Sequence, residues 1–436
     1  MRRFLVPCAA FAAVGLVGLC AQAGEGRTTR LEHQEVSLAR LPDRMLAEQV
    51  SVSPDGRRAA WTSRRGAKVV AVVDGKEGKP YEWIVGGRVG FTADSQHVVY
   101  QVRRGQKVLT VVDDKEGKEY DAVDDWVCSR SGGRVGYVAK RGGKFVAVVD
   151  GVEAKEYDNV RMGALAASGR VAYVAGIGAK ECVVVDGEEG RLWDRVAEVW
   201  MSLDGKHVAH QAIRNEKYMM VVDGVVGKAY PAMGPAEFSR DGSRVGYAAG
   251  LEAERTLVVD GAEHPTVGGR LAEGPIFSDN GGRLAYVVAK EGERAAVVVD
   301  GVEGKTYDTA GGARFRPDGK HLAYVAQRGS KTMVVVDEVE TGVYEAVERA
   351  SLAFSPNGQH VAWVGRRGGK EFLVVDGVEG SAYSRVLVAE GLAFADDKTM
   401  NAIAVRETEI EQRREEGTAR VPQREILAVK ALIAGN

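Results

Sequence analysis

The sequence predicts an all-β protein, a β-propeller of four-stranded blades with nine full repeats and a tenth closed by the N-terminal strand. Three observations carry this. The string Val-Val-Asp recurs nine times, ending at Asp74, Asp113, Asp150, Asp186, Asp223, Asp260, Asp300, Asp337 and Asp376, with 36–40 residues between successive copies. Seven residues after each Asp stands an aromatic (Tyr81, Tyr120, Tyr157, Trp193, Tyr230, Tyr307, Tyr344, Tyr383), Val267 being the exception. Four short extended segments and their turns fill each unit, which leaves no room for a helix.

The N-terminus comes first. Arg2 and Arg3 precede an apolar run, Phe4 to Leu19, and the small-x-small triplet Ala21-Gln22-Ala23. This pattern marks 1–23 as a secretory signal peptide, too short and wrongly flanked for a membrane span. The mature chain is expected to be secreted or periplasmic. Leu19 before Cys20 argues against a lipid anchor. Residues 24–48 are read as a segment that closes the ring, and 49–436 as the propeller.

Within a unit, strand a ends in a turn such as Phe315-Arg316-Pro317-Asp318-Gly319. Strand b follows, for example His321-Leu322-Ala323-Tyr324-Val325-Ala326, and then a basic, Gly-containing turn. Strand c is the apolar run, as in Val297-Val298-Val299-Asp300, and strand d carries Lys305-Thr306-Tyr307-Asp308. Because Asp114 and Glu338 follow the Asp in two copies, that slot is expected to need no left-handed backbone. The left-handed residue is placed instead at the glycine four positions on (Gly78, Gly117, Gly190, Gly227, Gly304, Gly380), with less regular turns where Ala154 or His264 replaces it. Strand c does not alternate, so both its faces should be covered, and stacked sheets are the only cover available.

Val52-Ser53-Pro54-Asp55-Gly56-Arg57-Arg58-Ala59-Ala60-Trp61 and Phe315-Arg316-Pro317-Asp318-Gly319-Lys320-His321-Leu322-Ala323-Tyr324 resemble the WD40-like repeat of TolB-type propellers. The resemblance covers nearly the whole mature chain, and it implies the fold rather than an activity. The tenth copy begins at Leu392-Ala393-Phe394 and takes a charged insertion, 406–423, before Ile426-Leu427-Ala428-Val429. It lacks a strand d, which Glu35-Val36-Ser37-Leu38 is expected to supply. Two packed smaller rings are the alternative.

No residue set stands out as catalytic, and neither cofactor nor metal is expected. An Asp present in every repeat reads as a turn residue, since a catalytic group is needed once. His97, His207, His321 and His360 share one slot with Arg58, Arg134, Arg170, Arg244 and Arg283, which reads as an exposed polar position. Cys128 and Cys182 read as small buried hydrophobes, with an isolated bridge as the alternative. The formal net charge is −2, and −4 once Arg2 and Arg3 leave, so nucleic acid is not an expected partner.

The uneven feature is charge in the b–c turns. Copies one, two, three, eight and nine carry Arg64, Arg65 and Lys68; Arg103, Arg104 and Lys107; Lys140, Arg141 and Lys144; Arg328 and Lys331; and Arg366, Arg367 and Lys370. Copies six and seven carry Glu252 and Glu254, and Glu291 and Glu293. In a closed ring the basic copies form one crescent about the tenth blade, opposite acidic c–d turns. Solubility alone could account for charged hairpin tips. The functional reading is a monomeric, non-enzymatic scaffold binding a protein or an anionic polysaccharide. The alternative is a propeller enzyme, a lyase or hydrolase, with its site in the central funnel. Trp200, His210, Asp124-Asp125-Trp126 and the insertion break the repeat without converging on one chemistry.

Overall fold

A computed structural model describes residues 30–41, 49–124, 126–130, 132–251, 254–292, 294–388, 392–414 and 417–434. The leader, residues 42–48, Asp125, Glu252 and Glu293 lie outside the described residues. The chain folds into ten separate antiparallel sheets in sequence order. Blade seven shows the unit: strand a, Arg270–Phe277; b, Leu284–Lys290; c, Arg294–Val299; d, Val302–Tyr307.

Closure of the ring is written in its hydrophobic clusters. One cluster fills each junction between consecutive blades, and one joins blade ten to blade one through Ile403, Ile426, Trp61 and Val72. Both faces of strand c are therefore covered; Val297 and Val298 are fully buried. One ten-bladed ring forms, not two smaller ones. Its tenth blade takes strand d from the N-terminus: Arg30–Arg40 pairs with Gly417–Ala434 from Arg30 opposite Ala434 to Arg40 opposite Glu425.

The c–d turns differ from expectation. All nine Asp residues have positive φ, from 48° to 52°, and so does the residue after each, including Asp114 (62°) and Glu338 (64°). These are two-residue turns with both central residues left-handed, the geometry that Asp-Gly favours between twisted strands. The expectation failed because it took Asp114 and Glu338 as forbidding a conformation that the hairpin imposes on them. The glycine four positions on lies at a bulge, without positive φ; a Cβ on Gly190 would sit 2.9 Å from the Val183 carbonyl oxygen. The turn at Ala154 keeps the register of its neighbours, and so is as regular as they are.

The charged segment of blade ten is no loop. Strands Thr399–Arg414 and Gly417–Ala434 stay paired from Thr399 opposite Leu432 to Arg414 opposite Gly417. Beyond Arg406, where other blades turn, the hairpin runs on as an arm about 26 Å long at ~3.3 Å per residue. Cross-strand ion pairs, Arg424–Glu407 at 3.0 Å and Arg420–Glu409 at 3.8 Å, match its charge pattern. Among the described residues no helix is long and apolar enough to cross a membrane.

Candidate functional site

The repeated Asp is the hinge of each blade. One carboxylate oxygen accepts the N–H of the first strand-b residue, as in Asp113 to Val98 at 2.9 Å and Asp300 to Leu284 at 3.0 Å. The other accepts from the shared Arg/His slot. Arg58, Arg134, Arg170, Arg244 and Arg283 use Nε; His97, His207, His321 and His360 use Nδ1. All nine slot residues are half-buried, not exposed as expected. The exchange has a chemical reason: both side chains carry a ring or fork nitrogen at similar reach, and the carboxylate needs only that donor. The arginines also bridge to the next blade, as Arg170 Nη1 does to the Gly205 and Lys206 carbonyls.

A second device locks consecutive blades. The strand-d tyrosine donates its hydroxyl to a glutamate three residues beyond the next blade's Asp: Tyr81 to Glu116, Tyr120 to Glu153, Tyr307 to Glu340. The next blade's second b–c arginine pairs with that glutamate, as Arg104, Arg141 and Arg328 do. Arg328 and Arg367 also lie over the previous blade's rings, Tyr307 and Tyr344, at 5.2 and 5.1 Å. Burial first, then the glutamate, pushes the Tyr81 hydroxyl up to about 12. At the closure Glu35 stands in for this glutamate, accepting from Tyr383 at 2.7 Å and Arg406 at 2.5 Å.

This lock divides the basic crescent. Arg65, Arg104, Lys107, Arg141, Lys144, Arg328 and Arg367 are each within an ion pair. Lys140 lies over the Phe145 ring at 5.3 Å. Among the described residues Arg64, Lys68, Arg103, Lys331, Arg366 and Lys370 have no carboxylate partner, and all six are exposed. The arginine pairs split because adjacent strand residues point to opposite faces, one into the lock and one away from it. The acidic c–d glutamates are thus partly spent on the basic turns, which lowers the expected bipolarity. Glu254 and Glu291 remain on blades six and seven.

The central funnel is the other concave surface. Inner strands of blades six to eight and a 3-10 turn of blade nine (Arg349–Ser351) surround a cavity of about 630 Å3 lined by Glu237, Glu273, Arg314 and Arg349. Glu237 is exposed, yet the protein around it raises its carboxyl above the usual range, against the charge of Arg130. Glu273 accepts the Gly312 N–H, at 3.0 and 3.3 Å to its two oxygens. Cys128, half-buried, and Cys182, buried, are not in disulfides. No cluster of three or more His, Cys, Asp or Glu fit to hold a metal occurs among the described residues. Trp200 packs at the blade five–six junction, Trp126 against Gly90, and His210 at the four–five junction, so these breaks stay apart.

No protein-family model and no curated protein matches the chain. Solved structures similar to it include TolB from Acinetobacter baumannii, 16% identical, with 57% of this chain and 80% of that one covered and a TM-score of 0.28. The β-propeller domain of the Trilobed protease from Pyrococcus furiosus is 12% identical over 59% and 94%, with a TM-score of 0.32. A eukaryotic initiation factor is 9% identical over 86% and 98%, with a TM-score of 0.42. The propeller assignment rests on the chain's own sheet order and closed ring.

Proposed function

We propose that the chain is an exported, non-enzymatic propeller scaffold whose b–c rim binds a linear anionic polysaccharide. The observation that carries this is the set of unpaired cations, Arg64, Lys68, Arg103, Lys331, Arg366 and Lys370, at equivalent hairpin tips on blades eight, nine, one and two. Cations repeated at equivalent hairpin tips on either side of the blade-ten arm suit a polymer that repeats its own charge. Such contacts speed encounter and weaken with salt. The leader pattern of 1–23, outside the described residues, supports export.

The test uses the mature chain and polygalacturonate as probe, titrated at low and high salt. The triple variant Arg64→Glu, Arg103→Glu, Arg366→Glu should lose binding while melting as the parent does, because these residues stand outside the lock. Retained binding in that variant overturns the proposal. A second reading, hydrolase chemistry in the funnel, is favoured by two carboxyl groups, Glu237 and Glu273, that line one cavity. Sizing the polymer after the titration separates the two, since a hydrolase shortens the polymer and a scaffold leaves it intact.

A further inference from the structure

Three repeat slots fail together at one junction. The third residue of strand b is Tyr or Trp in blades one to nine except at His210. The strand-d tyrosine is Trp193 in blade four, and the lock glutamate is Val226 in blade five. All three meet between blades four and five, where the Trp193 and His210 rings pack edge to face at 6.5 Å. At five other junctions this place holds two phenols and a carboxylate, as in Tyr81, Tyr100 and Glu116.

The junction keeps a cavity of about 450 Å3, within the size range of small-molecule sites. Val183, Val185, Val208, Val221 and Trp193 make its apolar wall. The equivalent groove between blades one and two measures about 340 Å3, and there Tyr100 donates to Asp114 at 3.2 Å while Glu77 and Asp113 make the lining acidic. The four–five cavity is basic instead, with Arg170, Arg191 and Lys206 on its lining. Arg170 is committed to Asp186, Lys206 to Asp204, and the one lining carboxylate, Asp223, to His207. Arg191 and Arg214 both lie over Trp193, at 4.7 and 4.8 Å, and neither has a carboxylate partner among the described residues. His210 has no hydrogen-bond partner among the described residues, and its Nε2 is sealed from solvent. Burial drops the imidazole to about 4, so at neutral pH it is an uncharged hydrogen-bonding group.

We propose that this junction is a binding site for a small hydroxyaryl carboxylate, its ring against the valines, its carboxylate on Arg191 and its hydroxyl toward His210. The ligand replaces the phenol that five other junctions supply from their own chain. A hydroxyl suits a neutral imidazole because it can donate or accept, whichever tautomer is present. The site is built from a–b and c–d turns, on the face opposite the basic rim, and does not depend on polysaccharide binding.

The test is calorimetric titration of the mature chain with 4-hydroxybenzoate, with the tryptophan emission followed in parallel. Saturable binding is expected. Benzoate, one hydrogen bond short, should bind about fivefold more weakly. The uncharged 4-hydroxybenzamide should bind about tenfold more weakly, having lost the charge-assisted contact. His210→Tyr, which restores the repeat's own phenol, should abolish binding. Arg191→Glu, exposed and outside any strand, should weaken it at least as much as the amide does and decides the matter should the tyrosine variant fail to fold. No saturable heat with the parent chain, or parent affinity in Arg191→Glu, overturns the proposal.

Discussion

Removing the Glu35 carboxylate should loosen the ring at its one non-covalent seam. Glu35 accepts from the Tyr383 hydroxyl at 2.7 Å and from Arg406 Nη2 at 2.5 Å, and Tyr383 is only 1% exposed. Glu35→Ala deletes a charge-assisted hydrogen bond worth about 1.5–3 kcal/mol and strands a buried hydroxyl at a cost of about 1–3 kcal/mol. The two costs overlap, because His33 Nδ1 lies 3.4 Å from that hydroxyl and offers a poor substitute. Half-exposed Arg406 is re-solvated and adds little. A net loss of about 2–3 kcal/mol follows, which local opening would express as roughly 100-fold faster amide exchange along the Arg30–Arg40 ladder. Hydrogen exchange on the ladder is the assay. A double-mutant cycle with Tyr383→Phe should return a coupling of about 1–2 kcal/mol.

The same carboxyl contributes a pH dependence. Burial alone would raise its pKa, but hydrogen bonds from Tyr383 and Arg406 outweigh burial and hold it below the ordinary 4.5. A carboxyl lowered on folding stabilises the fold above its unfolded pKa, and that contribution disappears as pH falls through the folded value. Glu35→Gln should therefore lack this part of the acid transition. Ladder exchange unchanged in Glu35→Ala, with no coupling to Tyr383→Phe, would refute the claim that the N-terminal strand seals blade ten.

Val298→Asp should cost about 3–5 kcal/mol, since it puts an unpaired charge among Leu271, Tyr286 and Leu257, whereas Val298→Ala should cost about 2; equal denaturant midpoints for parent and Asp variant would contradict stacked sheets. Glu216, exposed at the tip of the blade-five b–c turn, has φ of 61°, so Glu216→Gly should raise stability by about 0.5–1 kcal/mol, read as a higher melting temperature. A lower melting temperature would mean that the turn is not left-handed.

Much of this architecture is legible in the sequence because a repeat displays each slot nine times. The Asp interval set the blade count, the unbroken valine runs showed strands covered on both faces, and the missing strand of the tenth copy pointed to the N-terminus. Turn chemistry was misread, because two acidic exceptions at Asp114 and Glu338 outweighed seven glycines, although local strand twist decides the conformation of all nine. Sign of charge was visible, but not its neutralisation. Arg104 and Glu116 are partners only because strand d folds back along strand c and lies two strands from b in the same sheet, and adjacent Arg103 escapes because the pleat turns it the other way.

Residues far apart in the chain gain meaning only from the closed ring. Glu35 and Tyr383 are 348 residues apart, and nothing local marks Glu35 as the glutamate that a tenth repeat lacks. Trp193, His210 and Val226 each read as an isolated break in its own copy. Packing one blade on the next made them a single junction, because a propeller forms its contacts between neighbouring repeats, whereas reading along one strand compares only equivalent positions.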